Sequence, residues 1–419
     1  MLNKVFGPFS IYTVSGLITQ AIPVLLLPVM TRFLSPDEFG KWNIFSAILG
    51  VAIILGGLGN NAVVRGYFDR HKEGYDYPRF IFNGILVNFG VTAAVFVFIV
   101  LAGRFFAVAF RDMFGSIYLV PLLAINAAVY TIPLKLMVYK REALKYSFLN
   151  ISERALEFSL SVYFVAILGF DWRGRLLGLV CTNLLFLFIG LYFVIKNGIK
   201  VKVDTVHIRE ILGFGVPMVF HSLGFVVIPL IDRVFLKWFS GYREVGLYSV
   251  ASAVTAIIGF TVSAFSLSYG PVFFEQMNRM DPRKKAGLVR LTYAIYIIIA
   301  AGAVGFLAVS EKMMALLGGE DYTGSSNYIP WLVIGQIFYG MYLFMVNYIV
   351  FAKKTFSMAR ISLITVLCAL FFDYVLVRAN GPIGIAQAGA IVYFLRFLLT
   401  WYYGNKAFPM PWFSCTRAA

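Results

Sequence analysis

Residues 21–59 read AIPVLLLPVMTRFLSPDEFGKWNIFSAILGVAIILGGLG. One apolar run ends at Thr31 and Arg32, a short junction carries Asp37, Glu38 and Lys41, and a second apolar run follows at once. Each run is roughly twenty residues or longer without polar alternation, so each reads as a helix able to cross a hydrocarbon core of ~30 Å. An outer-membrane barrel, whose strands alternate polar and apolar positions, is excluded. The same punctuation continues along the chain. Apolar runs fall at 8–31, 42–64, 80–102, 116–139, 147–169 and 176–195, then at 211–236, 246–274, 288–309, 327–351, 357–377 and 383–403. The expected fold class is therefore all-α and polytopic, with about twelve transmembrane helices joined by short loops.

Composition agrees with that reading. Of 419 residues, 60% are hydrophobic and only 13% charged, with a mean hydropathy of +0.82. A soluble globular chain carries about a quarter charged residues, so lipid must cover most of this exterior and no soluble domain is expected. The net charge of +16 would suggest nucleic acid in a soluble protein. Here Lys and Arg gather in alternate loops, favouring one side by roughly two to one, which predicts both termini in the cytoplasm. A multi-pass bacterial inner-membrane protein with no nucleic-acid partner is expected. Cys181, Cys368 and Cys415 show neither metal spacing nor a disulfide framework. No phosphate-binding loop is present, and no metal or other cofactor is expected. The first apolar stretch reaches Arg32 without a small-residue cleavage site, so it does not read as a cleaved signal.

The junction in the quoted stretch recurs 206 residues later. Pro23, Glu38, Gly40, Ser46 and Ala47 fall on Pro229, Glu244, Gly246, Ser252 and Ala253, and DEFGKWNIFSA (37–47) aligns with REVGLYSVASA (243–253). Six helices repeat as six helices, which makes the repeat parallel, about an axis along the membrane normal. Residues 196–210, KNGIKVKVDTVHIRE, then read as the hinge between an N-lobe, 1–200, and a C-lobe, 201–419. Pro23, Pro28, Pro217 and Pro229 lie inside the first and seventh spans and predict kinked or unwound gate helices, tolerated where protein or a wet cavity satisfies the freed backbone.

Ionisable groups inside spans carry the functional information, because each costs about 2.5–3.5 kcal/mol to insert. Asp232, Arg233, Glu275 and Arg396 lie near span ends, from which long side chains reach the interface. Lys135, Glu153, Arg154 and Glu157 sit on the fourth and fifth spans, with Arg154 and Glu157 spaced i,i+3. Read structurally, they are a salt-bridge cluster that pins helices. Read functionally, they are a cationic cavity for an anionic substrate, with Glu153, Glu157, Asp232 and Asp373 as coupling or ion-pair candidates. Asp37 and Glu38 could hold a metal in a membrane glycosyltransferase or polymerase, but the equivalent loop carries Arg243 and Glu244, so a helix-junction cap is the expected role. His221, alone on the seventh span, reads as a packing residue.

Two stretches carry a family resemblance. LLLPVMTRFLSPDEFGKWNIFSAI (25–48), followed by VVRGYFDR (63–70), resembles the opening of polysaccharide-transport proteins, the Wzx-type O-antigen flippases of the multidrug/oligosaccharidyl-lipid/polysaccharide exporter superfamily. FGVPMVFHSLGFVVIPLIDRVF with the Val-Gly-x-Tyr at 245–248 and FSLSYGPVFFE (265–275) resembles their seventh and eighth helices. The resemblance implies two six-helix lobes in a V around a central cavity, as in multidrug and toxin extruders, and no enzymatic activity. It also implies a substrate, a polyprenyl-pyrophosphate-linked oligosaccharide moved from the cytoplasmic to the periplasmic leaflet. Coupling to H+ or Na+, contact with membrane lipid and a glycan-assembly complex are expected with it. By the same analogy Arg65, Lys135 and Arg154 are the expected substrate-binding cations. A multidrug or cation extruder of the same fold, or a flippase for the peptidoglycan precursor, would share these features.

Overall fold

A computed structural model of the chain describes residues 2–69, 75–196, 198–278, 282–352 and 354–412, all helix and connecting loop. Cys415 lies outside them, as do the side chains of Arg65 and His221. The helices are α1 (Leu2–Phe33), α2 (Pro36–Gly56), α3 (Leu58–Asp69), α4 (Tyr77–Leu101), α5 (Gly103–Ala109), α6 (Phe114–Ile117) and α7 (Leu119–Tyr139). They continue as α8 (Ala143–Val162), α9 (Trp172–Lys196), α10 (Thr205–Asn278), α11 (Pro282–Leu317), α12 (Ile329–Phe351), α13 (Thr355–Asn380) and α14 (Ile383–Ala407).

Ten helical segments among the described residues are long and apolar enough to span a membrane. One of them, Ser222–Ser266, contains Gly241 at φ 87°, ψ 177°, a conformation that favours glycine and ends one helix before the next begins. That segment supplies two spans. α8 has the length of a span but is absent from the ten because Lys145, Glu153, Arg154 and Glu157 lower its hydropathy. The twelve-span reading thus stands, with α8 as the polar member.

The helix ends follow from local chemistry. Before α2, the Ser35 N–H donates to Glu38 Oε2 (2.8 Å) and the Glu38 N–H to Ser35 Oγ (3.4 Å), a reciprocal capping box. Glu38 is therefore occupied as a cap. Asp76 caps α4 by accepting from the Arg79 N–H at 3.4 Å, and Pro78 sits in the first turn, where no N–H is needed.

The interruptions do not fall on the prolines. α1 stays helical through Pro23 and Pro28, and α10 through Pro217 and Pro229. The second span is the one that breaks, at Gly57, between α2 and α3. Beyond the break the Gly59 N–H donates to Asn88 Oδ1 (2.7 Å), Asn88 Nδ2 donates to Asn60 Oδ1 (2.8 Å), and Asn60 Nδ2 to the Ala128 carbonyl (3.0 Å). A buried chain of amides thus satisfies backbone that the broken helix releases.

The chain forms two compact units. Unit 1 comprises Met1–Leu34 and Lys41–Leu230, and unit 2 comprises Ser35–Gly40 and Ile231–Ala419. The first part of α10 belongs to unit 1 because Ile211 and Val219 share an apolar core with Leu58, Ala62, Phe80 and Val87. Within unit 2 the two copies of the repeated junction meet. A Cβ on Gly40 would lie 2.1 Å from the Tyr242 carbonyl oxygen, and one on Gly246 would lie 2.0 Å from that of Pro36. Gly40 and Gly246, like Pro36 and Tyr242, are equivalent under the 206-residue shift. The contact is reciprocal, and it leaves no space for a side chain.

Candidate functional site

In unit 1 the polar face of α8 builds the site. α8 packs against α1 and α9, and Arg154 Nη1 donates to Glu157 Oε2 at 3.0 Å. The Arg154 side chain is 47% exposed and that of Glu157 17%. A guanidinium half exposed in mid-span would carry the insertion cost given above if it faced hydrocarbon. Glu153 and Arg154 lie close enough to Tyr130 of α7 for their charges to act on it. Tyr146 of α8 meets Tyr12 of α1 edge-on at 5.3 Å, and the Tyr12 hydroxyl donates to the Met137 carbonyl at 3.4 Å. Carboxylate, guanidinium and phenol groups from three helices therefore share one region; Lys135 is half-buried further along α7. Arg65 lies on α3, two residues beyond the buried Val63.

Arg175, just ahead of the apolar run 176–195, is a further cation of this region. It is the fourth residue of α9, with Cζ 4.4 Å from the centre of the Trp42 ring and its charge felt at Glu157. Glu157 is thus within range of two guanidinium groups, those of Arg154 and Arg175. No local pattern marks Arg175, since the Trp42 ring it lies over is remote in sequence. The backbone after α8 also winds into a π-turn over Tyr163–Ile167, a form often found beside functional sites.

Unit 2 holds a second polar cluster. Asp232 and Asp373 are 5% and 0% exposed, and each lies within range of the other's charge. The Tyr248 hydroxyl donates to Asp232 Oδ2 at 2.7 Å. Neither Asp373 oxygen, nor Asp232 Oδ1, accepts a hydrogen bond from the described residues. Arg233 acts electrostatically on Asp232, and Arg396, 1% exposed, lies with Cζ 5.2 Å from the Tyr342 ring centre. Asp232 and Arg396, expected to reach the interface, are instead interior. Two buried carboxylates within range of each other's charge do not both ionise unless a cation lies beside them. Sequence reading named Asp373 and Asp232 but not Tyr248, whose role depends on the turn at Gly241 bringing it back towards Asp232.

Comparison with known proteins places these sites in context. The profile of the polysaccharide biosynthesis protein family matches residues 8–277, and that of the MatE family matches residues 217–375. Lsg locus putative protein 1 of Haemophilus influenzae is 23% identical over 94% of this chain and 98% of its own length. Capsular polysaccharide biosynthesis protein CapF of Staphylococcus aureus is also 23% identical, over 96% and 99%. Among solved structures, the lipid II flippase MurJ in an inward closed conformation superposes with a TM-score of 0.73 at 12% identity. That match covers 94% of this chain and 87% of MurJ, and it shows the fold.

Proposed function

Because the chain belongs to the polysaccharide biosynthesis protein family, we propose that this multi-pass bacterial membrane protein is a flippase for a lipid-linked oligosaccharide. It moves a polyprenyl-pyrophosphate-linked repeat unit, of O-antigen or a similar surface glycan, from the cytoplasmic to the periplasmic leaflet by alternating access. Both termini lie in the cytoplasm, and the working halves are the six-helix repeats 1–200 and 201–419.

The observation that carries this reading is the Arg154–Glu157 pair in the middle of α8, with its guanidinium half exposed. A flippase must hold an anionic pyrophosphate and a hydrophilic glycan within the bilayer while the isoprenoid tail stays in lipid. Arg154 offers an exposed guanidinium at that depth, with Lys135 and Arg65 as further cations. Guanidinium-to-phosphate bonds are charge-assisted and about twice as strong as neutral ones. Coupling is assigned to the Asp232–Asp373 pair, which takes up H+ or Na+, with Glu153 and Glu157 as counter-ions of the substrate site. Pro23, Pro28, Pro217 and Pro229 lie in the helices that flex.

The test is a clean deletion in a host without a redundant flippase. Lipid-linked repeat units should accumulate and surface polysaccharide should disappear, and normal surface glycan refutes the proposal. The MatE match over 217–375 favours one competing reading, a multidrug extruder, which overexpression would reveal as dye or drug resistance.

A further inference from the structure

The linker between the repeats is fastened along its length to the start of α4. Lys200 Nζ lies 2.9 Å from Asp76 Oδ2, and Arg79 Nη2 lies 3.2 Å from Asp204 Oδ2. Arg79 Nη2 also donates to the Val203 carbonyl at 3.4 Å. Asn83, fully buried, grips the linker backbone with both ends of its amide: Nδ2 donates to the Lys202 carbonyl (3.0 Å) and Oδ1 accepts from the Asp204 N–H (2.9 Å). The Lys200 N–H donates to the Pro78 carbonyl at 3.4 Å. Just beyond, His207 lies edge-on to Phe80 at 5.2 Å and 3.8 Å from Asp204. A Cβ on Gly215 would lie 2.6 Å from the Leu58 carbonyl oxygen.

The manner of fastening matters. Ile199 packs against the core of Val63 and Ile81, but Val201, Val203 and Val206 are 79%, 58% and 71% exposed, so beyond Ile199 the linker buries little apolar surface. It is held by polar contacts, and ion pairs with partly exposed side chains contribute only about 0–1 kcal/mol each. Segments held this way open locally at free energies far below that of global unfolding. The strap also joins two elements that the repeat assigns to different halves, the start of α4 and the start of α10.

We infer that residues 198–207 are a releasable strap on the start of α4, and that transport proceeds only when the strap lifts. This rests on the flippase reading and adds a mobile element to it. Asn83 is the anchor that sets the linker's register, and the pairs Lys200–Asp76 and Arg79–Asp204 are the fastenings that part. Asp76, held below its ordinary range chiefly by the Lys200 ammonium, stays charged at neutral pH, so release follows from displacement of the pairs.

The experiment uses proteoliposomes carrying a fluorescent polyprenyl-pyrophosphate-linked saccharide, with Cys181, Cys368 and Cys415 replaced by Ser. Pro78→Cys with Lys200→Cys places thiols on two residues joined by a backbone hydrogen bond. Oxidation should lower flipping at least tenfold and reduction should restore it. Undiminished flipping by the cross-linked protein overturns the inference. In a second arm, Asn83→Ala and Asp204→Ala should each raise maleimide labelling of Val203→Cys several-fold while flipping persists. Loss of flipping by these unfastened variants, in protein that still elutes as folded, would make the strap a fixed anchor and also overturn it. If the parent protein flips nothing in the same vesicles, the flippase reading is what fails.

Discussion

Replacing Arg154 with Ala separates a structural ion pair from a substrate site, because the two readings predict very different magnitudes. At 3.0 Å from Glu157, a pair in a medium of effective dielectric 20 would have a Coulomb energy of about 4 kcal/mol or more. Arg154 is 47% exposed, however, and an i,i+3 pair so open to water contributes only about 0.3–1 kcal/mol after screening and side-chain entropy. Spread over a 419-residue chain, that loss lowers Tm by about 2 °C or less. A charge-assisted hydrogen bond to a phosphate oxygen is worth about 1.5–3 kcal/mol, so losing one lowers flipping roughly 10- to 150-fold. The expected result is a nearly unchanged melting curve in detergent together with loss of flipping in proteoliposomes. Arg154→Lys should recover part of the rate, since it restores charge without the planar fork. Wild-type flipping by Arg154→Ala would remove the residue from the substrate site. A fall in Tm above about 6 °C would show that the pair holds helices together.

Asp373→Asn should leave the protein folded, since it keeps an uncharged group of the same shape beside Asp232, while abolishing flipping driven by a Na+ or pH gradient. Retained gradient dependence would exclude the pair from coupling. The Lys200–Asp76 and Arg79–Asp204 pairs of the strap should stay formed between about pH 8 and pH 5, and positive charge on His207, 3.8 Å from Asp204, adds attraction there and releases neither pair. Burial works against the Asp204 charge, but the backbone N–H of Val206, then the charge of Arg79, outweigh it, and its pKa is lowered. With Asp76 lowered as well, these contacts are fully present above the ordinary carboxylate value and are lost as pH falls below about 4. A spin label at position 203 should therefore gain mobility only there, and mobility rising at pH 6 would contradict the assignment. Gly40→Ala and Gly246→Ala should each destabilise by about 1–3 kcal/mol through overpacking. Because the two contacts share one interface, the double variant should cost less than the sum, and strict additivity in thermal unfolding would count against a common contact.

Much of this fold was legible because membrane spans announce themselves through length and apolarity, and because the 206-residue repeat is local in sequence. The junction caps were legible for the same reason: Ser35 and Glu38 sit three residues apart, the spacing that a capping box needs. What escaped depends on long-range placement. Proline marks where a helix could break, yet Pro23, Pro28, Pro217 and Pro229 all sit in continuous helix, while the break falls at Gly57, where Asn88 and Asn60 stand ready to receive freed backbone. Those asparagines carry no charge, so neither hydropathy nor charge counting registers them. Arg175 was hidden by its closeness to a span end, since only the position of Trp42, far away in sequence, turns it inward. The linker read as a hinge because its composition is polar and Gly198 interrupts it. Its partners on α4 lie about 120 residues earlier, at a separation that no local pattern reports.

The reciprocal glycine contact has a consequence that sets it apart from the strap. Two backbones meet there with no side chain between them, so the fit depends on shape, and dissolved ions have nothing to screen. The strap depends on charges that are partly open to water, whose attraction weakens as the Debye length shrinks from ~10 Å at 0.1 M salt to ~3 Å at 1 M. Raising ionic strength should therefore slacken one fastening and leave the other as tight as before, which makes salt a means of addressing one contact of the molecule at a time.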